Sequence, residues 1–281
     1  MSLPPQSSSA LFAMGAVCTW GLSDFVGGYT ARRFEAFFLA ALGHLSGTVM
    51  VVSLALMAHQ PLPPFSHLRW ACLAGVASGI SLAVFYRALG QGNMGIAAPV
   101  TAVLSAGIPT VFGVVSEGSP GGATIAGFAL ALVGIWLISR SENGGRPRGI
   151  GLALIAGLGF ALLFILIRKA GSGSALWIAA VSRASSLVVT GSIVLAGRRF
   201  KPVYSLGFAL GLLAGCVDAA GTIFFILASQ HGRLDTAVVL CSFYPVVTVL
   251  LARIVLKERF TLWKTVGILA ALASVPLIAS N

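Results

Sequence analysis

The sequence predicts an all-α integral membrane protein of ten transmembrane helices arranged as two inverted five-helix repeats. Composition, the spacing of apolar runs and a weak internal self-similarity lead to that expectation. Of 281 residues, 57% are hydrophobic and only 9% charged, against about 25% charged in an ordinary globular domain. So many apolar residues cannot all be hidden from water in one compact unit of this size, so their solvent is lipid. A helical span takes about 20 apolar residues, which leaves room for spans and short loops but for no extramembrane domain.

Apolar stretches bounded by Gly, Pro or charge give ten candidate spans, at roughly 9–31, 35–58, 67–90, 93–116, 120–139, 148–168, 174–196, 205–229, 233–256 and 260–280. No Lys or Arg precedes Arg32, so the first run lacks the basic flank of a cleavable signal and is expected to remain as a span. Two breaks are clear: Gln60-Pro61-Leu62-Pro63-Pro64, and the polar stretch from Arg140 to Arg148 at the midpoint. The second divides the chain into a first repeat, 1–140, and a second, 141–281.

Sliding the chain against itself by about 140 residues supports that division. Leu73-Ala74-Gly75 then falls on Leu213-Ala214-Gly215, Val84-Phe85 on Phe224-Phe225, Ala88 on Ala228 and Gly127 on Gly267. At an offset of 139, Gln91 meets Gln230 and His44 meets Arg183. Because five is odd, the second copy enters the membrane from the opposite side, and the halves are expected to be related by a two-fold axis in the membrane plane. Loops after odd-numbered spans hold 13 Lys+Arg, the opposite side holds 4, and Arg183 lies within a span. Basic loops face the cytoplasm, so both termini are expected outside it.

Several function classes recede on the same residues. The net charge of +11 comes from basic residues in ones and twos between apolar runs, not from a patch with interleaved aromatics, so no nucleic-acid partner is expected. Cys18, Cys72, Cys216 and Cys241 show no CxxC or metal-ligand spacing and read as small packing residues. Gly90-Gln91-Gly92-Asn93-Met94-Gly95 fits GxGxxG but joins two apolar runs rather than a strand and a helix, which argues against a nucleotide site. With no HExxH, no GxSxG and four scattered histidines, an intramembrane enzyme has no signature, and no cofactor or metal is expected.

A set of short motifs carries a family resemblance across nearly the whole chain. They are Thr19-Trp20-Gly21, Phe85-Tyr86-Arg87-Ala88-Leu89, Pro245 within Ser242-Phe243-Tyr244-Pro245, and Leu256-Lys257-Glu258-Arg259 followed by Thr261, Trp263 and Gly267. In this order the chain resembles the drug/metabolite transporter superfamily, in particular its ten-helix EamA-like branch, and within it the bacterial aromatic amino acid exporters. The resemblance implies a carrier of small organic metabolites in the bacterial inner membrane, often an amino-acid exporter, with a cavity lined from both repeats. The expectation is therefore a secondary transporter working by alternating access, with a small-molecule substrate and the lipid bilayer as its partners. A multidrug exporter of lipophilic cations is the alternative. The sequence departs from the branch at His44, where an Arg is frequent in the second span, and at Pro109, three residues beyond the position equivalent to Pro245.

Charged groups at membrane depth are the first candidates for chemistry, since each costs about 2.5–3.5 kcal/mol or more in a span. Asp24, Arg183 and Asp218 sit near mid-span, and His44 within the second span as a possible polar or coupling group. Either they engage a zwitterionic substrate, or Arg183 and Asp218 pair to fix adjacent spans. Trp20, one turn before Asp24, shares its face, and Trp20, Tyr86 and Tyr244 are aromatics away from the interfacial belts. Ser78 joins them because the offset of 140 sets it opposite Asp218. The expected substrate site is thus Trp20, Asp24, Ser78, Tyr86, Asp218 and Tyr244, with Arg183 beside it. Pro99 and Pro109 in span four and Pro245 in span nine are expected to interrupt corresponding, mobile helices. Glu117 and Glu258 read as loop carboxylates.

Overall fold

A computed structural model of the chain describes residues 5–91, 94–119, 121–139, 149–197, 205–257 and 261–278. Those residues form eleven α-helices: α1 Pro5–Ala31, α2 Ala36–Met57, α3 Phe65–Gly90, α4 Met94–Glu117, α5 Gly122–Ser139, α6 Ile150–Lys169, α7 Ala175–Ala196, α8 Ser205–His231, α9 Leu234–Cys241, α10 Tyr244–Leu256 and α11 Leu262–Ile278. Nine of the ten expected spans each correspond to a single helix. The difference is span nine, which is two helices meeting at Ser242 and Phe243. Among the described residues, eight segments are long and apolar enough to cross a membrane, counting α9 and α10 as one. The midpoint stretch 140–148, Glu258 and the side chains of Pro99 and Pro276 lie outside the described residues.

Local chemistry sets the helix starts. Glu35 accepts a hydrogen bond from the Phe38 amide at 2.7 Å and Ser174 from the Trp177 amide at 3.4 Å, satisfying donors that a helix N-terminus leaves over. Gly149 precedes α6 at φ +89°, a left-handed conformation that only glycine adopts without strain. In span nine, Pro245 is the second residue of α10, where its missing amide costs nothing. Span four carries Pro99 and Pro109, yet α4 runs unbroken through both, so the interruption expected in both halves is present as a break only in the second.

The helix pairings repeat between the halves. α1 packs on α8 as α3 packs on α6, α2 on α8 as α3 on α7, and α1 on α10 as α4 on α6. Equivalent helices also meet directly, α2 with α7, α4 with α9 and α5 with α11. This is the pairing a two-fold relation between the repeats produces. The closest seams use small residues: the Gly215 backbone lies on Gly43, and Gly75 on the Ser182 carbonyl.

Side-chain bonds identify which helix ends share a face. Ser9 Oγ donates to the Ala228 carbonyl at 2.8 Å, Arg168 pairs with Glu117 at 2.8 Å and donates to the Ser229 and Gly232 carbonyls, and Trp177 Nε1 donates to the Gln60 carbonyl at 2.8 Å. The ends of α4, α6 and α8 therefore lie on one face, with the starts of α1 and α7. On the other, Gly90 at the end of α3 lies against Ala31 at the end of α1, and Gly149 against Ala88 and Gln91.

Candidate functional site

A buried cavity of about 30 Å³ sits where both repeats meet, lined from α1, α3, α4, α6, α7, α8 and α10. It has room for about two or three waters, since one needs roughly 10–15 Å³, whereas drug-sized ligands occupy about 300–1,000 Å³. The cavity is too small for such a ligand in this structure. Six of the expected residues line it together: Trp20, Asp24, Ser78, Arg183, Asp218 and Tyr244.

Its α7–α8 wall is electrically satisfied. Arg183, 3% exposed, pairs with the Asp218 carboxylate, donates to the Asp218 carbonyl at 3.0 Å and to Thr222 Oγ1, and makes a long 3.5 Å contact with His44 Nδ1. His44 lies behind Arg183 rather than in the lining, and its Nε2 has no partner among the described residues. His44 and Arg183 are 139 residues apart, close to the offset that relates the two halves of the sequence.

The α1 wall is not satisfied. Among the described residues, Asp24, 5% exposed, has no hydrogen-bond or ion-pair partner, and the buried Tyr244 hydroxyl has no hydrogen bond of good geometry. The break between α9 and α10 positions Tyr244: it is the first residue of α10, and Thr248 one turn on donates to the Gly21 carbonyl at 3.1 Å, holding α10 against α1. With one cation against two carboxylates, the lining carries a formal charge of −1. The same lining holds an aromatic cluster, in which Trp20 stacks on Phe164 at 5.7 Å and meets Tyr244 edge-on at 6.5 Å.

Tyr86 is not in the lining. Its hydroxyl lies 3.2 Å from Ser23 Oγ, which donates to the Ala214 carbonyl at 2.9 Å, and its ring covers Gly27, so it ties α3 to α1 and α8. Pro109 is buried inside α4 and does not line the cavity. Leu82, Ser105, Phe160, Leu163, Phe164 and Thr222 line it without having been expected. The repeat offset carries their signal: at 140, Trp20 meets Phe160, Asp24 meets Phe164, Ser78 meets Asp218 and Leu82 meets Thr222, and at 139 Ser105 meets Tyr244. Ten of the twelve lining residues thus form five equivalent pairs, which is what a site on a two-fold axis requires.

The arrangement offers an unpaired carboxylate, a Tyr244 hydroxyl without a well-formed hydrogen bond and an aromatic surface in a narrow cavity. That chemistry suits a small molecule with a cationic group and an apolar body. A solved structure titled "Crystal structure of protein" matches with a TM-score of 0.72 over 96% of this chain and 96% of that one, at 18% identity, and so speaks for the fold alone. No curated protein matches the chain. The EamA-like transporter family matches twice, over residues 7–140 and 147–280, once for each run of five spans. On that double match, together with the multi-pass helical fold, the chain belongs to the EamA-like transporter family of the drug/metabolite transporter superfamily.

Proposed function

We propose that the chain exports small amphipathic metabolites bearing an ammonium group, amino acids foremost and aromatic ones among them, by alternating access about the central cavity. One observation carries this reading: Asp24 is buried in the lining with no protein partner among the described residues, and it shares that lining with the stacked rings of Trp20 and Phe164. In this reading Asp24 receives the ammonium group, Trp20 and Phe164 the apolar side chain, and the Tyr244 hydroxyl and Ser78 donate to a carboxylate. Arg183 is held by Asp218, so it shapes the lining rather than reading the carboxylate directly.

The odd number of spans per repeat supports an inverted relation of 1–140 and 141–281 in the membrane. The basic bias of the loops supports termini outside the cytoplasm of a bacterial inner membrane. Reporter fusions at Asn143 and at the C-terminus should then report opposite sides; the same side would remove the inversion.

Export of lipophilic cations is a second reading, favoured by the formal charge of −1 and by the neutralisation of Arg183 by Asp218. Reconstitution into liposomes preloaded with labelled amino acids, their amides and lipophilic amines, with and without a pH gradient, separates the two. Efflux of amino acids above amides supports the first reading. Efflux of amides and amines alone supports the second, and efflux of neither removes both.

A further inference from the structure

We propose that Phe85 and Phe225 are the access-determining residues of the cavity, each closing one side of it, an inference that rests on the cavity being the transport site. Trp20 of α1 meets Phe225 of α8 with ring centroids 5.8 Å apart, and Phe160 of α6 meets Phe85 of α3 at the same 5.8 Å. Trp20 and Phe160 are 140 residues apart, as are Phe85 and Phe225. The second pair is the first carried across the two-fold.

Neither Phe85 nor Phe225 lines the cavity, and each is 1% exposed. Each lies about one helical turn beyond the last lining residue of its helix, Leu82 on α3 and Thr222 on α8, toward the helix end. Those ends belong to opposite faces, so one ring pair stands on each side of the cavity. A carrier that alternates needs two barriers of which one parts at a time, and equivalent residues in the two repeats supply them.

Each Phe has a second ring partner: Phe164 lies 4.6 Å from Phe225, and Tyr244 meets Phe85 edge-on at 6.5 Å.

The test uses the full chain in vesicles of known orientation, with Cys18, Cys72, Cys216 and Cys241 replaced by Ala and Ser105→Cys as a reporter in the cavity. A membrane-impermeant methanethiosulfonate reagent is applied to one face at a time. Phe225→Leu should speed labelling from the α8-end face about three- to tenfold and leave the other rate unchanged, and Phe85→Leu should do the converse. Phe→Met at either position gives the same directions if a Leu variant does not fold. Both variants acting on the same face, or neither changing either rate, overturns the inference. Rates that follow the expectation while amino acids and amines fail to slow labelling leave the barriers standing and remove the substrate reading.

Discussion

The two walls of the cavity treat charge in opposite ways. On the α7–α8 side, Arg183 and Asp218 satisfy each other, with Thr222 and the Asp218 carbonyl taking two further donors. On the α1 side, Asp24 is as deeply buried and has no protein partner among the described residues. Both stand out equally in a hydropathy profile, because depth in an apolar run is all the profile measures. The contrast shows that an intramembrane charge is a functional signal only after its partner has been sought. A satisfied pair holds helices together, whereas an unsatisfied group is held by the fold for something else.

The largest effect expected from this contrast is at the paired wall. Arg183→Leu or Asp218→Leu alone strands a buried charge and should cost about 3–5 kcal/mol, read as loss of folded protein and a lower Tm in detergent. The double replacement should recover most of that loss. If the recovered double variant also moves amino acids normally, the pair is purely structural. If it keeps amides and loses amino acids, Arg183 contributes to carboxylate recognition despite its bond to Asp218.

Asp24→Asn should show the reverse pattern. It removes an unpaired charge, so Tm should hold or rise, while transport of ammonium-bearing substrates should fall about tenfold or more, as for a lost charge-assisted hydrogen bond of roughly 1.5–3 kcal/mol. A variant that transports normally would erase the distinction between the walls. Smaller again is Tyr244→Phe, which deletes a hydroxyl without a well-formed bond. Stability should change by less than about 0.5 kcal/mol, and apparent affinity for carboxylate-bearing substrates should fall roughly two- to tenfold in competition assays. Outside the cavity the expected effect is on stability alone: Glu117→Gln breaks the partly exposed pair with Arg168. Its loss should be about 1 kcal/mol or less, and the wild-type advantage should shrink as salt is raised.

The polar half of the site was legible in the sequence because lipid makes polar residues conspicuous. Asp24, Arg183 and Asp218 interrupt runs where a charge needs a reason, and Ser78 followed from the repeat. Phe160, Leu163 and Phe164 were not legible, since a Phe or Leu in an apolar run has the same pattern whether it meets lipid or a cavity. Tyr86 misled for a related reason: its hydroxyl needed a partner, and the partner is Ser23 in a helix seam rather than a substrate. Proline also carried less than its chemistry suggested. α4 absorbs Pro109 within a continuous helix, while span nine breaks before Pro245 at Ser242 and Phe243, residues that are not helix breakers by type.

The seams where backbones touch have a consequence for how the two copies diverge. Gly43 lies on Gly215, and its counterpart contact is Ser182 on Gly75. A side chain facing lipid is exchangeable for another apolar one with little effect, so most of each copy is free to drift. An added methyl at Gly75 or Gly215 has no such freedom, because it meets backbone atoms that cannot rotate away. These contacts act as registration marks. They keep two unlike sequences superposable, so that an aromatic residue gained in one copy still arrives opposite its equivalent in the other.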